Sequence, residues 1–224
     1  MVGGFLVTFL EICQRVIEEA DNPDEAASLN DTLITADTLE FHRRVILTVQ
    51  RVYRNIQRRH NTWEFHHQSG TFLTSLDDGT KEYSVANVRS IMRQSLVGRE
   101  QGQTARWPLT WLSYEDWVTI FQLQPTQNPG IPLWFVENPD GTFRLEPGPD
   151  RIVEVLGDWY RTLHELTVKD DEPLWESEFH ELIVWEACKA LVTEYETLEG
   201  LALRVQMELP PLYRQFVNRF LMEN

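Results

Sequence analysis

Ile131-Pro132-Leu133-Trp134-Phe135-Val136, Asn138-Pro139-Asp140-Gly141, Thr142-Phe143-Arg144-Leu145-Glu146 and, after Asp170-Asp171-Glu172-Pro173, the run from Trp175 to Leu191 decide how this chain folds. The first segment is a short apolar strand, the second a turn, and the third alternates as a returning strand does. Pro147-Gly148-Pro149-Asp150 stops that hairpin. Ile152 to Arg161, rich in β-branched and aromatic residues, then reads as a third strand in meander order. From Trp175 the period becomes helical, with acids in the first turn where the helix dipole favours them. At about 100° per residue, Phe179, Ile183, Val184, Ala187, Cys188, Ala190, Leu191, Val192 and Tyr195 spread over more than half the circumference. So wide an apolar arc has two homes: the centre of its own domain, or the surface of a neighbouring subunit.

Working outward, a chain of 224 residues is long enough for one domain, or one plus an appended element, with a sizeable core. Eight tryptophans argue for ordered packing. The net charge of −15 opposes any reading in which the whole surface grips nucleic acid. Cys13 and Cys188 lie in apolar helical patterns and read as buried, reduced thiols of a cytosolic protein. The apolar start, Phe5 to Leu10, lacks the basic flank and cleavage site of a secretion signal, and no segment reaches the roughly 18 apolar residues of a membrane span.

Phe5, Phe9, Ile12, Val16 and Ile17 predict an amphipathic helix ending near Asp21, followed by a polar linker over Asp24 to Asp37. Thr38 to Arg59 predicts the clearest helix of the chain. Its Val45, Ile46, Val49, Val52, Tyr53 and Ile56 lie opposite a basic stripe of Arg43, Arg44, Arg51, Arg54 and Arg58. No acid stands between Phe41 and Trp63 to neutralise the stripe locally. It is therefore a solvated face meeting acids elsewhere in the chain, a contact for an acidic neighbour in an oligomer, or a contact for DNA phosphates. Trp63 to Gln68, a turn at Ser69-Gly70, Thr71 to Leu76, a turn at Asp77-Asp78-Gly79 and Glu82 to Val85 read as a second meander, and Gly98 to Gln103 as a polar loop. Ser113 is placed to cap a short helix, which Pro125 to Gly130 breaks. Thr197 to Glu208 predicts a further helix, kinked or ended by Pro210-Pro211. Behind it, Leu212, Phe216, Val217, Phe220 and Leu221 form an apolar stripe that either docks in a partner's groove or packs back on its own domain.

Catalytic and metal motifs fail on spacing. His180-Glu181 opens like a zinc-protease helix, but Val184 stands where the second histidine belongs. His66 and His67 point to opposite faces of a strand and read as a surface pair. Asp170-Asp171-Glu172 reads as a solvated turn ahead of a helix. No phosphate-cradling glycine loop or nucleophile elbow is present, so no catalytic residue, metal or cofactor is expected. A metal-dependent enzyme built on His67, Glu176, Glu178 and His180 is the rival from another class, and a nucleic-acid-binding helical module using the arginines a third.

The order Trp63-x-Phe65, Pro108-Leu109 ahead of Ser113, Gly130-Ile131-Pro132, Leu145-Glu146-Pro147-Gly148-Pro149-Asp150, Trp159-Tyr160 and Pro173-Leu174-Trp175-Glu176 before Phe179-His180-Glu181 resembles the head-to-tail adaptor (connector, or head-completion) proteins of tailed bacteriophages, over residues 36 to 196. The resemblance implies an α+β fold: a helical body with inserted antiparallel hairpins or meanders and a C-terminal helical extension. It divides the chain into an N-terminal helix and loop (1–35), an adaptor domain (36–196) and an extension (197–224). It further implies a structural virion protein of the neck, assembled in the host cytoplasm. Such a protein forms a ring of about twelve copies below the portal and joins capsid to tail or nozzle proteins. The ring lines a channel for DNA without reading its sequence. On that reading Arg44, Arg51, Arg54 and Arg58 face a neighbouring copy, and Leu212, Tyr213, Phe216 and Phe220 contact the portal. Another neck or tail component of the same particle is the alternative.

Overall fold

The computed structural model describes residues 8–20, 29, 40–60, 62–122, 128–194 and 199–221, and the fold is α+β. Phe5, most of the 24–37 linker, Thr38, 125–127, Tyr195, Thr197 and the last three residues lie outside them. Two units emerge, one of residues 1–65 with 163–224 and one of residues 66–162.

The helical unit is built round a helix that is mostly apolar and mostly buried. α1 (Phe9–Glu19), α2 (Glu40–Arg59), α4 (Glu181–Glu194) and α5 (Glu199–Phe220) compose it, while α3 (Tyr114–Trp117) belongs to the other unit. Every α4 residue from Leu182 to Cys188 is buried, and α1, α2 and α5 all pack on it. The wide apolar arc is thus the centre of its own unit. α1 contributes Phe9, Ile12, Cys13, Val16 and Ile17 to this core, and Leu29 joins them from the segment read as a polar linker. Residues 9–19 and 199–220, set apart in the sequence as terminal elements, both supply this shared core.

α1 begins with a capping box, Thr8 accepting from Glu11 N and Glu11 accepting from Thr8 N. Its next free N–H groups, those of Phe9 and Leu10, donate to Asp171 O at 2.8 Å and Lys169 O at 3.1 Å. The Asp171 carboxylate holds that loop in shape by accepting from the N–H groups of Thr167 and Val168. Burial opposes its charge, but these donors, the Thr167 hydroxyl and nearby His164 outweigh burial and hold its pKa below the ordinary 3.8.

α5 corrects the expectation at Pro210-Pro211, because the helix runs through both without interruption. The two prolines remove donors to the carbonyls of Gln206 and Met207, which belong to exposed residues, as do the prolines themselves. The buried side of the helix, with Leu209 and Phe216, keeps its packing.

The second unit is two sheets around one core. β1 (His67–Thr74), β3 (Val88–Ile91), β4 (Val97–Glu100), β5 (Arg106–Pro108) and β9 (Val153–Arg161) form the first sheet, in the order β1-β9-β4-β5 with β3 also on β9. β2 (Glu82–Tyr83), β6 (Thr110–Leu112), β7 (Trp134–Glu137) and β8 (Phe143–Glu146) form the second, ordered β2-β8-β7-β6, with β6 parallel to β7. The β7–β8 hairpin is as the sequence reads. The third strand is not: β9 leaves that sheet and becomes the spine of the other, pairing with β1 on one side and with β3 and β4 on the other. Nor is there a hairpin at Ser69-Gly70. β1 passes through it as one strand, with Gly70 at φ 137° opposite Gly157 and a bulge at Phe72. Its expected partner segment, Glu82-Tyr83, pairs instead with β8. Gly98 to Gln103, read as a loop, is the inner half of the β4–β5 hairpin. Leu73, Phe135, Phe143, Leu145 and Val155 meet between the sheets, and Phe72 lies 5.8 Å from Phe135 across them.

The Pro147 to Asp150 block is a packing joint. Gly79 N donates to Pro149 O at 2.9 Å, and a Cβ on Gly148 would collide with the Gly79 carbonyl. Beside it, Glu146 is 1% exposed and carries its charge against Lys81, with Trp117 Nε1 donating to it at 3.4 Å.

Two outcomes follow from this packing. Gly148→Ala destabilises by about 1–3 kcal/mol in urea unfolding followed by a fluorescence probe of the β-unit, since backbone and not a pliable side chain stands in the way. Asp171→Asn removes part of the acid dependence of stability. A depressed folded-state pKa gives stability that is complete above the ordinary carboxylate range and is lost as pH falls through the folded value, so wild type and variant converge as pH falls below the ordinary carboxylate range.

Candidate functional site

α2 presents its core face as expected and its basic face with a difference. Val45, Ile46, Val49, Tyr53 and Ile56 are buried. On the opposite side Arg43, Leu47, Arg51, Asn55 and Arg58 are exposed in a line, four or three residues apart. Leu47, half exposed in the middle of the arginines, is an apolar group among cations.

The four arginines singled out from sequence are not equivalent. Arg44 pairs with Glu40 at 3.5 Å, one residue before the window searched for acids. Arg51 reaches Glu194 on α4 at 3.3 Å, and Arg54 reaches Glu165 at 2.8 Å. Arg58, like Arg43, is exposed and makes no ion pair among the described residues. The stripe therefore divides into arginines paired with acids of their own unit, Arg44, Arg51 and Arg54, and two, Arg43 and Arg58, that are exposed without an ion pair among the described residues. The pairs are solvent-exposed, so each contributes about 0–1 kcal/mol. Arg59 differs from them: its partner Glu186, at 2.7 Å, is nearly buried. Burial works against the Arg59 charge, but Glu186 and Tyr213 outweigh it and raise its pKa.

The C-terminal stripe splits in the same manner. Phe216 is 0% exposed and Phe220 4%, both inside an aromatic cluster with Trp63, Phe65, Trp175 and Phe179. Neither is available to a groove on another protein while this core is closed. Leu212 and Tyr213 are half-buried at its margin. The outward side of α5 instead shows Leu203 and Met207, each about two-thirds exposed, followed by Pro210 and Pro211. Sequence reasoning missed this strip because its apolar residues are spaced four apart, as core residues are.

Three residues of the enzyme rival have partners of their own. His180 is buried, with Nε2 3.0 Å from Trp175 O, and Glu176 is bound to Arg219. His67 lies in the other unit beside Asp158. His66 is fully buried and not half of a surface pair, because the chain is still in a single 3-10 turn there and the strand begins only at His67. Among the described residues no three His, Cys, Asp or Glu side chains are grouped to hold a metal. Cys13 and Cys188 are buried free thiols whose pKa burial pushes up, that of Cys188 to about 12, which disfavours the nucleophilic thiolate. No described helix is long and apolar enough to cross a membrane.

The surfaces so described are a basic helix face, an apolar strip on α5 and the β4–β5 hairpin at one edge of the first sheet. No curated protein matches the chain in sequence. The family model for the SU10 adaptor protein matches residues 7–208, which span both units, and the chain belongs to that family of phage head-to-tail adaptors.

Proposed function

We propose that this structural adaptor forms a closed ring of about twelve copies beneath the portal, joins the capsid to tail proteins in the virion neck and lines the DNA channel. The observation that carries the reading is the exposed line Arg43, Leu47, Arg51 and Arg58 in a chain of net charge −15. Copies with that balance repel one another, so a cationic face with an apolar centre is suited to hold an acidic neighbouring copy. The same acidic balance keeps passing DNA from adhering. Arg44, Arg51 and Arg54 can exchange their weak internal partners for a neighbour's carboxylates at little cost.

The portal contact falls on α5. Phe216 and Phe220 anchor that helix from inside, Leu212 and Tyr213 pack at the margin of the core, and the surface the helix offers is formed by Leu203 and Met207 on its outward side. An apolar strip on an exposed helix face is the helix-in-groove mode of recognition.

Charge reversal tests the ring. Arg43→Glu with Arg58→Glu leaves unfolding free energy within about 0.5 kcal/mol per site, since both side chains are exposed and make no ion pair among the described residues. The same variant gives no closed rings in negative-stain images of portal complexes in which wild type does. A variant that assembles normally refutes the assignment, and one that unfolds shows that the face belongs to the subunit's own packing.

A further inference from the structure

At 100° per residue, Leu203, Met207, Pro210 and Arg214 of α5 fall within about a 60° arc, with Gln206 and Pro211 on its two borders. All six are exposed. Leu203 and Met207, at 66% and 67%, are the most exposed large apolar side chains among the described residues. The prolines add a second feature on the same side. Each lacks the N–H that bonds the carbonyl four residues back, and each ring crowds that carbonyl. Gln206 O and Met207 O therefore stand in mid-helix without the donors a regular helix supplies. Proline is the poorest helix former, yet two occur in succession and the helix continues past them to Phe220. The core does not call for them, since the buried side chains of this stretch are Leu209 and Phe216. Arg214, one turn further on, does not answer the two carbonyls: it makes no hydrogen bond or ion pair among the described residues.

We propose that this side of α5 seats in an apolar groove of the portal, where a planar side chain with two N–H donors bonds the carbonyls of Gln206 and Met207 and a carboxylate meets Arg214. The donors follow from the burial. A groove that covers Leu203 and Met207 also strips water from the two carbonyls beside them, and acceptors buried without a donor oppose association. The groove must therefore supply what the prolines withhold. Two acceptors on successive residues suit two parallel N–H groups on one plane, as a guanidinium or a primary amide presents them. The carboxylate follows from charge, because Arg214 brings an unpaired cation to the same arc roughly 5 Å, one helical turn, beyond the prolines. The choice of the portal rests on the reading of α5 as its contact, whereas the need for donors does not.

Restoring the missing donors tests it on the full chain, with the purified portal ring as the probe. Pro210→Ala with Pro211→Ala returns both N–H groups to the helix, so the unfolding midpoint stays level or rises. Portal binding nevertheless weakens by at least about tenfold, because the carbonyls are now engaged inside the helix. Opposite signs in the two measurements are the signature. Pro210→Val with Pro211→Val returns the same donors while keeping apolar area, and weakens binding alike. Wild-type affinity in the alanine pair overturns the proposal. So does a loss confined to the alanine pair, which marks lost apolar area and not engaged carbonyls. Leu203→Ser with Met207→Ser judges the underlying reading separately: undiminished portal binding overturns α5 as the portal contact. If those serines spare portal binding but abolish association between copies in sedimentation, the groove belongs to a second copy and the portal is overturned as its source.

Discussion

A helix whose apolar arc spans more than half its circumference must be enclosed, and the enclosure of α4 fixes most of what surrounds it. From Leu182 to Cys188 every residue of α4 is buried. α1, α2 and α5 each surrender one stripe to it, which is why elements near both ends of the described chain are core and not appendage. The loop of residues 167–171 completes the arrangement by receiving the first N–H groups of α1. Once the inner stripes are committed, the outer faces of α2 and α5 are free of structural duty. The residues found there include arginines, a leucine and Asn55 on α2, and a leucine, a methionine and two prolines among polar residues on α5.

The β-unit is organised by a different economy of contacts. β9 is nine residues long and has partners on both sides along its length. A central strand with covered faces shows little alternation, and Val153, Val155, Leu156, Gly157 and Tyr160 read equally well as the third strand of a meander or the spine of a separate sheet. The glycines settle the matter in three dimensions. Gly157 faces Gly70 across the pair, and Gly98 accepts the Trp107 ring so closely that any Cβ would strike it.

This contrast explains what the sequence made legible. Helices with a single buried stripe, α1 and α2, announce themselves by period, and the Ser113 cap and the β7–β8 turn by local chemistry. Pairing between distant strands has no local signature, so β2 with β8 and β1 with β9 were hidden. Gly70 was misread because its positive φ serves a strand irregularity as readily as a turn. The arginine face was legible as a face, but its partition was not. Glu165 and Glu194 lie more than a hundred residues from the arginines they meet, and nothing in the spacing of Arg51 and Arg54 distinguishes them from Arg58. The burial of Phe216 and Phe220 was likewise left open, since a stripe suited to a partner's groove is equally suited to its own core.

The charge balance bears on when such a chain associates. At physiological ionic strength, charges on separate copies are screened beyond about 8 Å, so the repulsion from a net charge of −15 opposes only close approach. Local complementarity then decides affinity, and diffuse repulsion decides how seldom two free copies find it. A surface that holds copies in register, such as a symmetric partner with repeated docking sites, removes that encounter barrier by raising the effective concentration of neighbours. Weak, exposed pairs such as Arg51 with Glu194 suit this regime, because they keep the arginines soluble in the free subunit and yield them without disturbing a core already closed around α4.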